Sequence, residues 1–129
     1  MRSLVGVPDK LLSEWLNGKE YITAIDEGEA IGYGAGYYLA TGKRATVFMS
    51  ADGFCNALNA ITSYVIPEGI EMNIVISTGR QEPQHKVMSD ILDDLIKLIP
   101  YNRELIFINI IKQWEHKRDT KIGIKQDLN

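Results

Sequence analysis

Short apolar runs and apolar stripes of helical period alternate along the chain. The runs predict buried strands over residues 21–25, 44–50, 71–78 and 104–111. The stripes predict helices over residues 8–17, 27–41, 53–66 and 85–99. Strands that alternate with helices and are apolar on both faces are typical of a parallel sheet buried between helices. We therefore expect a three-layer α/β domain, with a mostly parallel sheet and helices on both of its faces.

The pattern weakens towards the end of the sequence. Pro100 stops the last predicted helix, and the strand over 104–111 is followed by a charged stretch with little periodicity. Such a stretch has too little apolar surface to order itself, which predicts a frayed tail. The sequence thus divides into an α/β domain over residues 1–112 and a charged tail over residues 113–129.

Two helices carry apolar stripes that we expect to face the core. In the 53–66 helix the stripe consists of Phe54, Ala57, Leu58, Ile61 and Val65. In the 85–99 helix it consists of Val87, Met88, Ile91, Leu95 and Leu98. Cys55 has no evident base partner in the sequence, and we expect it to be a small core residue.

Composition narrows the class of protein. The chain has 129 residues, is 45% hydrophobic and carries a formal net charge of -3, with Lys and Arg scattered. These values suit one domain with a core, and without a basic patch we expect no nucleic-acid partner. The single cysteine suits a reducing compartment. No apolar run reaches the roughly 18 residues of a membrane span, and the first residues lack a signal-peptide pattern. We expect a cytoplasmic protein that does not enter membranes.

Three glycines, Gly32, Gly34 and Gly36, stand at alternate positions in the predicted 27–41 helix. A phosphate-binding loop would place its glycines directly after a strand, at a helix N-terminus that attracts anions. Here carboxylates occupy that first turn and would repel a phosphate. We therefore place the glycines inside the helix, where each costs about 1 kcal/mol relative to alanine. Close packing of another helix against this small-residue face is the simplest compensation.

Glu27 is the one charged member of a smooth helical face. Positions 27, 30, 31, 34, 35 and 38 share that face, and the others are Ala, Ile, Gly, Ala and Tyr. One interpretation is a carboxylate that only stabilises the positive end of the helix dipole. The alternative is a desolvated carboxylate that donates or accepts a proton.

Four blocks of sequence together resemble a known enzyme family. They are GVPDKLL, DEGEAIGYGAGYYLATGKRATVFM, GFCNALNAITS and EPQH, in this order between residues 6 and 85. The chain resembles the N-terminal, pyrimidine-binding domain of thiamin-diphosphate-dependent decarboxylases over roughly residues 6 to 100. Within that family it is most similar to the phosphonopyruvate decarboxylases, with the α subunits of sulfopyruvate decarboxylases nearby.

The resemblance implies a catalytic and cofactor-binding role for Glu27. In the family, the matching glutamate hydrogen-bonds a ring nitrogen of the aminopyrimidine of thiamin diphosphate. This favours the tautomer that removes the proton from the thiazolium carbon, and the cofactor then acts as electron sink for a 2-oxo acid. The resemblance also places Gly53 and Asn56 in the turn that faces the cofactor.

The loop after the third predicted strand is implied to face the substrate. The resemblance places Gln84 and His85 there, with His85 as a second catalytic residue and Arg80 as a further substrate contact. Without the resemblance, a lone loop histidine is usually just solvated. The loop is shorter than the family pattern, so Arg80 stands for the family arginine only by position.

The family's second domain, which holds magnesium and the diphosphate, has no counterpart in this sequence. The resemblance therefore implies a partner, a diphosphate-binding subunit that holds the magnesium and shares the cofactor. It also implies a homo- or hetero-oligomer acting on a small 2-oxo acid of the phosphono or sulfo type. Two alternatives stay open at this point. One is a non-catalytic domain that keeps the fold and an oligomerisation face, and the other is a free-standing flavodoxin-like ligand-binding domain.

Overall fold

A computed structural model describes residues 1–111 and the backbone of residues 112 and 117–120. One sheet runs through it, with six strands in the order β2-β1-β3-β4-β5-β6. The strands β1 to β5 are parallel, and β6 pairs antiparallel with β5. Their bounds are β1 Leu4–Gly6, β2 Ile22–Thr23, β3 Ala45–Ser50, β4 Met72–Thr78, β5 Leu105–Lys112 and β6 Lys117–Thr120. The predicted α/β fold with a mostly parallel sheet is confirmed.

The helices connect consecutive strands. A 3-10 turn over Lys10–Leu12 leads into the short helix α1, Ser13–Leu16. The longer helices are α2, Glu27–Thr41, α3, Phe54–Ala60, and α4, Pro83–Leu98. One π-helical turn over Ile61–Val65 extends α3. Within the described part of the chain, no helix has the length and apolar character needed to cross a membrane.

The bounds of α2 follow from its capping residues. The Asp26 side chain accepts a hydrogen bond from the Glu29 backbone N–H at 2.8 Å, and Glu29 Oε1 accepts one from Ile25 N–H at 2.7 Å. The first of these bonds satisfies an amide group that the first helical turn leaves unpaired, and the second fixes the residue that precedes the cap. At the other end Gly42 has a φ of 72°, the left-handed conformation that ends helices and favours glycine.

The two faces of the sheet are covered unequally. The helices α2, α3 and α4 contribute to one core cluster, in which the rings of Phe54 and Phe107 meet edge to face. On the opposite face, among the described residues, the 3-10 turn and α1 supply Leu12 and Leu16 to a smaller cluster around Phe48. Helices thus lie on both faces as predicted, but one layer is thin.

The glycines of α2 lie inside the helix, as predicted, but they do not share one packing role within this chain. A β-carbon on Gly34 would lie 2.8 Å from Val47 Cγ2 and 2.9 Å from Met72 Cε, so Gly34 packs on the sheet. No neighbour comes within 4 Å of the corresponding position on Gly32 or Gly36. The predicted packing of a second helix against all three is therefore wrong for Gly34. For Gly32 and Gly36 it stays a prediction about another chain.

The stripe predicted for α4 is wrong at three of its five positions. The helix buries Leu92 and Ile96. The predicted members Val87, Ile91 and Leu98 are exposed, and Met88 and Leu95 are half-buried. Both sets have helical spacing, so periodicity alone does not choose between them. The stripe predicted for α3 is confirmed, since Phe54, Ala57, Ile61 and Val65 are buried and Leu58 packs against the same core.

Three further differences concern short elements. The strand β1 was not predicted because three residues are too few for a recognisable pattern. The helix predicted over 8–17 is a 3-10 turn followed by four α-helical residues. The frayed tail predicted after residue 112 is wrong for Lys117–Thr120, which form β6, and its other residues lie outside the described ones. The domain boundary at residue 112 stays a prediction.

Candidate functional site

The candidate residues gather where the parallel strands end. Asp9 follows β1, Glu27 follows β2, Gly53 follows β3 and Arg80 follows β4. The carboxyl ends of parallel strands meet at one edge of a sheet. In the order 2-1-3-4-5 the chain reverses its direction of winding between β1 and β3. Ligand sites of open α/β sheets lie at this edge and close to this switch point.

Glu27 is buried at the first position of α2, with 7% of its surface exposed. Its Oε1 accepts a hydrogen bond from Asn56 Nδ2 at 3.0 Å. Its Oε2 faces Gly53, where a β-carbon would overlap this oxygen and the carboxyl carbon. The structure thus brings together the three residues that the sequence analysis assigned to the cofactor. One carboxylate oxygen is held by an amide, and the other lies against a glycine.

Asp9 links the loops that follow β1 and β4. Its Oδ2 accepts hydrogen bonds from the Leu11 backbone N–H at 3.1 Å and from Ser77 Oγ at 2.9 Å. Its Oδ1 lies 2.8 Å from Arg80 Nη2, and both side chains are mostly buried. Such a partly buried, charge-assisted pair is stronger than a surface ion pair. Asp9 therefore fixes the position of Arg80 relative to the sheet.

Arg80 is already surrounded by negative charge. Besides Asp9, its Nη1 lies 3.6 Å from the carboxylate of Glu82. The hydrogen bond that Arg80 donates to Asp9 raises the pKa of Arg80 above its usual value, and the charges of Asp9, Glu82 and Asp52 add to this effect. The pKa of the exposed Glu82 lies below its usual value, chiefly because its own backbone N–H stabilises the carboxylate. Much of the positive charge of Arg80 is therefore balanced within the chain.

His85 lies in the first turn of α4 and contacts the turn that follows β3. Its Nδ1 is 2.5 Å from Asp52 Oδ2, and both side chains are about one-third exposed. The two atoms are within ion-pair distance, but they are not aligned for a hydrogen bond. Among the described residues, the buried Nδ1 has no aligned hydrogen-bond partner. Asp52 immediately precedes Gly53, so a single turn touches both Glu27 and His85.

The remaining sequence candidates lie at the surface. Gln84 is exposed in the first turn of α4 beside His85, where it is accessible to a ligand. Cys55 is exposed on α3, so its prediction as a core residue is wrong. The predicted roles of Glu27, Gly53, Asn56, Arg80, Gln84 and His85 stay predictions, although the structure gives each of them a definite place.

Sequence reasoning did not identify Asp9 and Asp52 as site residues. Asp9 appeared only as a letter in the GVPDKLL block, and Asp52 stands between two of the four matching blocks. Their partners stand 71 and 33 positions further along the chain, at Arg80 and His85 (80 − 9 and 85 − 52). The usable signal was positional and existed for Asp52, which follows the strand predicted over residues 44–50. Asp9 follows β1, which the sequence did not predict.

Two further features bear on what the site can hold. A shallow open groove of about 360 Å³ lies beside α1, lined by residues that include Pro8, Asp9 and Tyr21. Glu27 does not line it, so this groove is separate from the buried carboxylate. Among the residues whose positions are described, no three His, Cys, Asp or Glu side chains form a group that could hold a metal ion. The donor set around Glu27 suits a ring with N–H groups rather than a hard cation.

The chain is similar to two proteins named phosphonopyruvate decarboxylase. It is 32% identical over 116 residues to the protein of Streptomyces viridochromogenes, which covers 81% of this chain and 29% of that relative. It is 32% identical over 108 residues to the protein of Streptomyces hygroscopicus, with 74% and 26% covered. The chain therefore spans less than a third of the length of the curated relatives it matches.

A solved structure supports the fold. It belongs to a protein from Mycobacterium smegmatis described as a candidate thiamin diphosphate-dependent enzyme. The TM-score is 0.54 with 24% sequence identity, over 66% of this chain and 17% of that one. At this level of identity the likeness shows the fold alone. No protein-family model matches the chain.

Proposed function

We propose that this chain, a domain of the thiamin-diphosphate-dependent decarboxylase type, forms the pyrimidine-binding half of a 2-oxo acid decarboxylase. The resemblance predicted from the sequence is confirmed by the two phosphonopyruvate decarboxylases. The substrate would be a small 2-oxo acid with a phosphono or sulfo group. The enzyme would be a cytoplasmic carboxy-lyase, and this chain would be inactive without a separate diphosphate-binding chain.

The environment of Glu27 carries this proposal. A buried carboxylate needs compensation, and Glu27 receives one hydrogen bond, from Asn56, while its second oxygen lies against Gly53. Glycine at that position leaves space for the Glu27 carboxylate itself. Glu27 would accept a hydrogen bond from a ring nitrogen of the cofactor and hold the proton there. Bound thiamin diphosphate would supply the electron sink for decarboxylation.

The same donor set argues for a shared cofactor. The groups at this place are the Glu27 carboxylate, the Asn56 amide and the Gly53 backbone, and together they fit one ring. Magnesium prefers several oxygen ligands and usually binds through carboxylates together with phosphate oxygens. We propose that a diphosphate-binding subunit holds the magnesium and the diphosphate. The exposed side of α2 around Gly32 and Gly36 would then be buried in a homo- or hetero-oligomer.

Arg80, Gln84 and His85 would line the substrate side of the site. Arg80 would offer its remaining N–H groups to an anionic oxygen of the substrate, while Asp9 holds the guanidinium in place. His85 would exchange a proton with the reacting molecule, since an imidazole can both donate and accept near neutral pH. His85→Ala should then lower turnover roughly 10²-fold with little change in Tm. An unchanged turnover combined with a large loss of Tm would make His85 a structural residue.

Proton exchange at the thiazolium carbon tests the role of Glu27. The chain is combined with its diphosphate-binding chain, thiamin diphosphate and magnesium, and hydrogen–deuterium exchange is followed by NMR. Glu27→Gln should keep the fold and abolish the accelerated exchange. Glu29→Gln is the matched control, because Glu29 is exposed two residues away on the same helix. Exchange as fast in Glu27→Gln as in the parent protein would remove Glu27 from the mechanism.

A non-catalytic domain is the second candidate function, favoured by one observation. The guanidinium of Arg80 is paired with two carboxylates of its own chain, which reduces its attraction for an anionic substrate.

Calorimetry of the isolated chain with thiamin diphosphate and magnesium tests whether the cofactor site is shared between two chains. We expect only weak binding, because a half-site orders the ligand without the contacts to its charged diphosphate. Micromolar or tighter binding, or decarboxylation by the chain alone, would contradict the need for a partner.

A further inference from the structure

His85 is held by a carboxylate that belongs to a different loop. Its backbone N–H donates to Glu82 O at 2.8 Å within the first turn of α4, so its position in the chain is fixed. On the other side, the Gly53 N–H donates to Ser50 O at 3.1 Å and closes the turn that carries Asp52. Two ordered backbone segments thus bring Asp52 Oδ2 to 2.5 Å from His85 Nδ1.

The two ring nitrogens of His85 have different surroundings. Nδ1 is sealed from solvent and faces Asp52. Nε2 is not among the buried polar atoms that lack a partner, and it makes no hydrogen bond to residues 1–111. A carboxylate beside one imidazole nitrogen favours the proton on that nitrogen and leaves the other as an acceptor. The ring environment is therefore asymmetric, with a carboxylate on the Nδ1 side.

We propose that Asp52 is a positioning residue for His85, which keeps the proton on Nδ1 and presents Nε2 towards the reacting molecule at the carboxyl edge of the sheet. Asp52 itself need not touch the substrate. The importance of Nε2 for turnover rests on the proposed function. The selection of the tautomer by Asp52 does not, because it depends only on contacts within this chain.

The other charges nearby leave Asp52 available for this role. Arg80 is the nearest competing cation, but its guanidinium is within ion-pair distance of Asp9 and Glu82. Asp52 affects Arg80 only through longer-range electrostatics. His85, one turn after Glu82, contributes to the lowered pKa of Glu82. The Glu82 carboxylate nevertheless lies at 3.6 Å from Arg80 Nη1. Within the described residues, Asp52 is thus the carboxylate in direct contact with the ring.

The test reads the tautomer directly. The full chain is labelled with ¹⁵N-histidine, and His116→Asn removes the only other histidine signal. Ring ¹⁵N shifts are then recorded by NMR at a pH where the His85 ring is neutral. We expect Nδ1 to carry the proton. Asp52→Ala should move the population towards the tautomer protonated on Nε2, which a free imidazole side chain favours.

Asp90→Ala is the matched control. Asp90 lies on the same helix and pairs with Lys86 at 2.7 Å. Its replacement should leave the His85 shifts unchanged. A proton on Nε2 in the parent chain, or ring shifts that Asp52→Ala leaves unaltered, would overturn the proposal.

Turnover measurements separate this proposal from the proposed function. In the assembled decarboxylase, Asp52→Ala should lower kcat roughly tenfold to hundredfold with a smaller effect on KM. If the tautomer shifts as expected but neither Asp52→Ala nor His85→Ala changes kcat, the catalytic role of His85 fails while its positioning by Asp52 stands. If kcat falls without any change of tautomer, the positioning role is wrong.

Discussion

Gly53 and Glu27 are packed so closely that the first residue has to be glycine. A β-carbon at position 53 would overlap the carboxylate of Glu27. The backbone of Gly53 has ordinary helical dihedral angles, with a φ of -83°. Any L-residue can adopt these angles, so the requirement comes from space and not from conformation. The start of α3 is therefore fitted to a side chain at the start of α2.

Gly53→Ala should displace Glu27 or the turn before α3. Forcing a methyl group into a packed site costs about 1–3 kcal/mol, and we expect a loss of unfolding free energy in this range. Chemical denaturation measures it. Gly32→Ala is the control, because a β-carbon there meets open space on an exposed helix. It should gain about 0.5–1 kcal/mol. Equal effects of the two variants would contradict the packing of Gly53 on Glu27.

Asn56→Ala should lower the free energy of unfolding, because Glu27 is buried. It removes the side-chain donor on Glu27 Oε1 and leaves a buried carboxylate without that bond. The expected loss is about 1–3 kcal/mol of unfolding free energy. Asn59→Ala on the same helix is the matched control, since its Oδ1 accepts only an exposed bond from Ser63. We expect that variant to stay within about 0.5 kcal/mol of the parent chain. A loss confined to Asn59→Ala would be inconsistent with the structure.

Asp9→Ala should loosen the loops after β1 and β4 together. It removes the partner of Arg80 and the acceptor for Ser77 and Leu11, in a setting that is mostly buried. Hydrogen bonds to charged groups contribute about 1.5–3 kcal/mol, so we expect a loss of this size. Asp90→Ala breaks an exposed ion pair and should cost less than about 1 kcal/mol. Urea denaturation of the two variants gives the comparison directly. Comparable losses would show that Asp9 acts as an ordinary surface charge.

Gly34→Ala and Gly36→Ala should have opposite signs. A methyl group on Gly34 approaches Val47 on the sheet, and a β-branched side chain has little freedom to move away. We expect Gly34→Ala to destabilise the chain by about 1–3 kcal/mol. Gly36→Ala meets no neighbour and should stabilise it by about 0.5–1 kcal/mol through helix propensity. Tm measurements on both variants suffice, and a stabilised Gly34→Ala would refute the contact with the sheet.

The parts of the fold that the sequence predicted are those determined locally. The helix α2 begins and ends where its capping residues, Asp26 and Gly42, indicate. Its buried face was predicted from periodicity, and Glu27, Ala30 and Ile31 are buried. Capping and periodicity act over a few residues, so a single sequence contains them in full.

What the sequence did not predict depends on contacts between distant residues. In α4, an apolar stripe through Val87 and Ile91 competes with one through Leu92 and Ile96, and only the sheet decides which is buried. The pairing of Asp52 with His85 likewise requires β3 and β4 to be neighbours in register. Such information appears only when the strand order is known.

The exposure of Cys55 makes this chain well suited to labelling. It is the only cysteine in the sequence, and it directly precedes Asn56, which holds the carboxylate of Glu27. A fluorophore or a maleimide can therefore be attached at one defined place without removing other thiols. If a second chain covers the start of α3, the alkylation rate of this thiol will fall on assembly. The natural sequence thus contains its own reporter for the arrival of a partner.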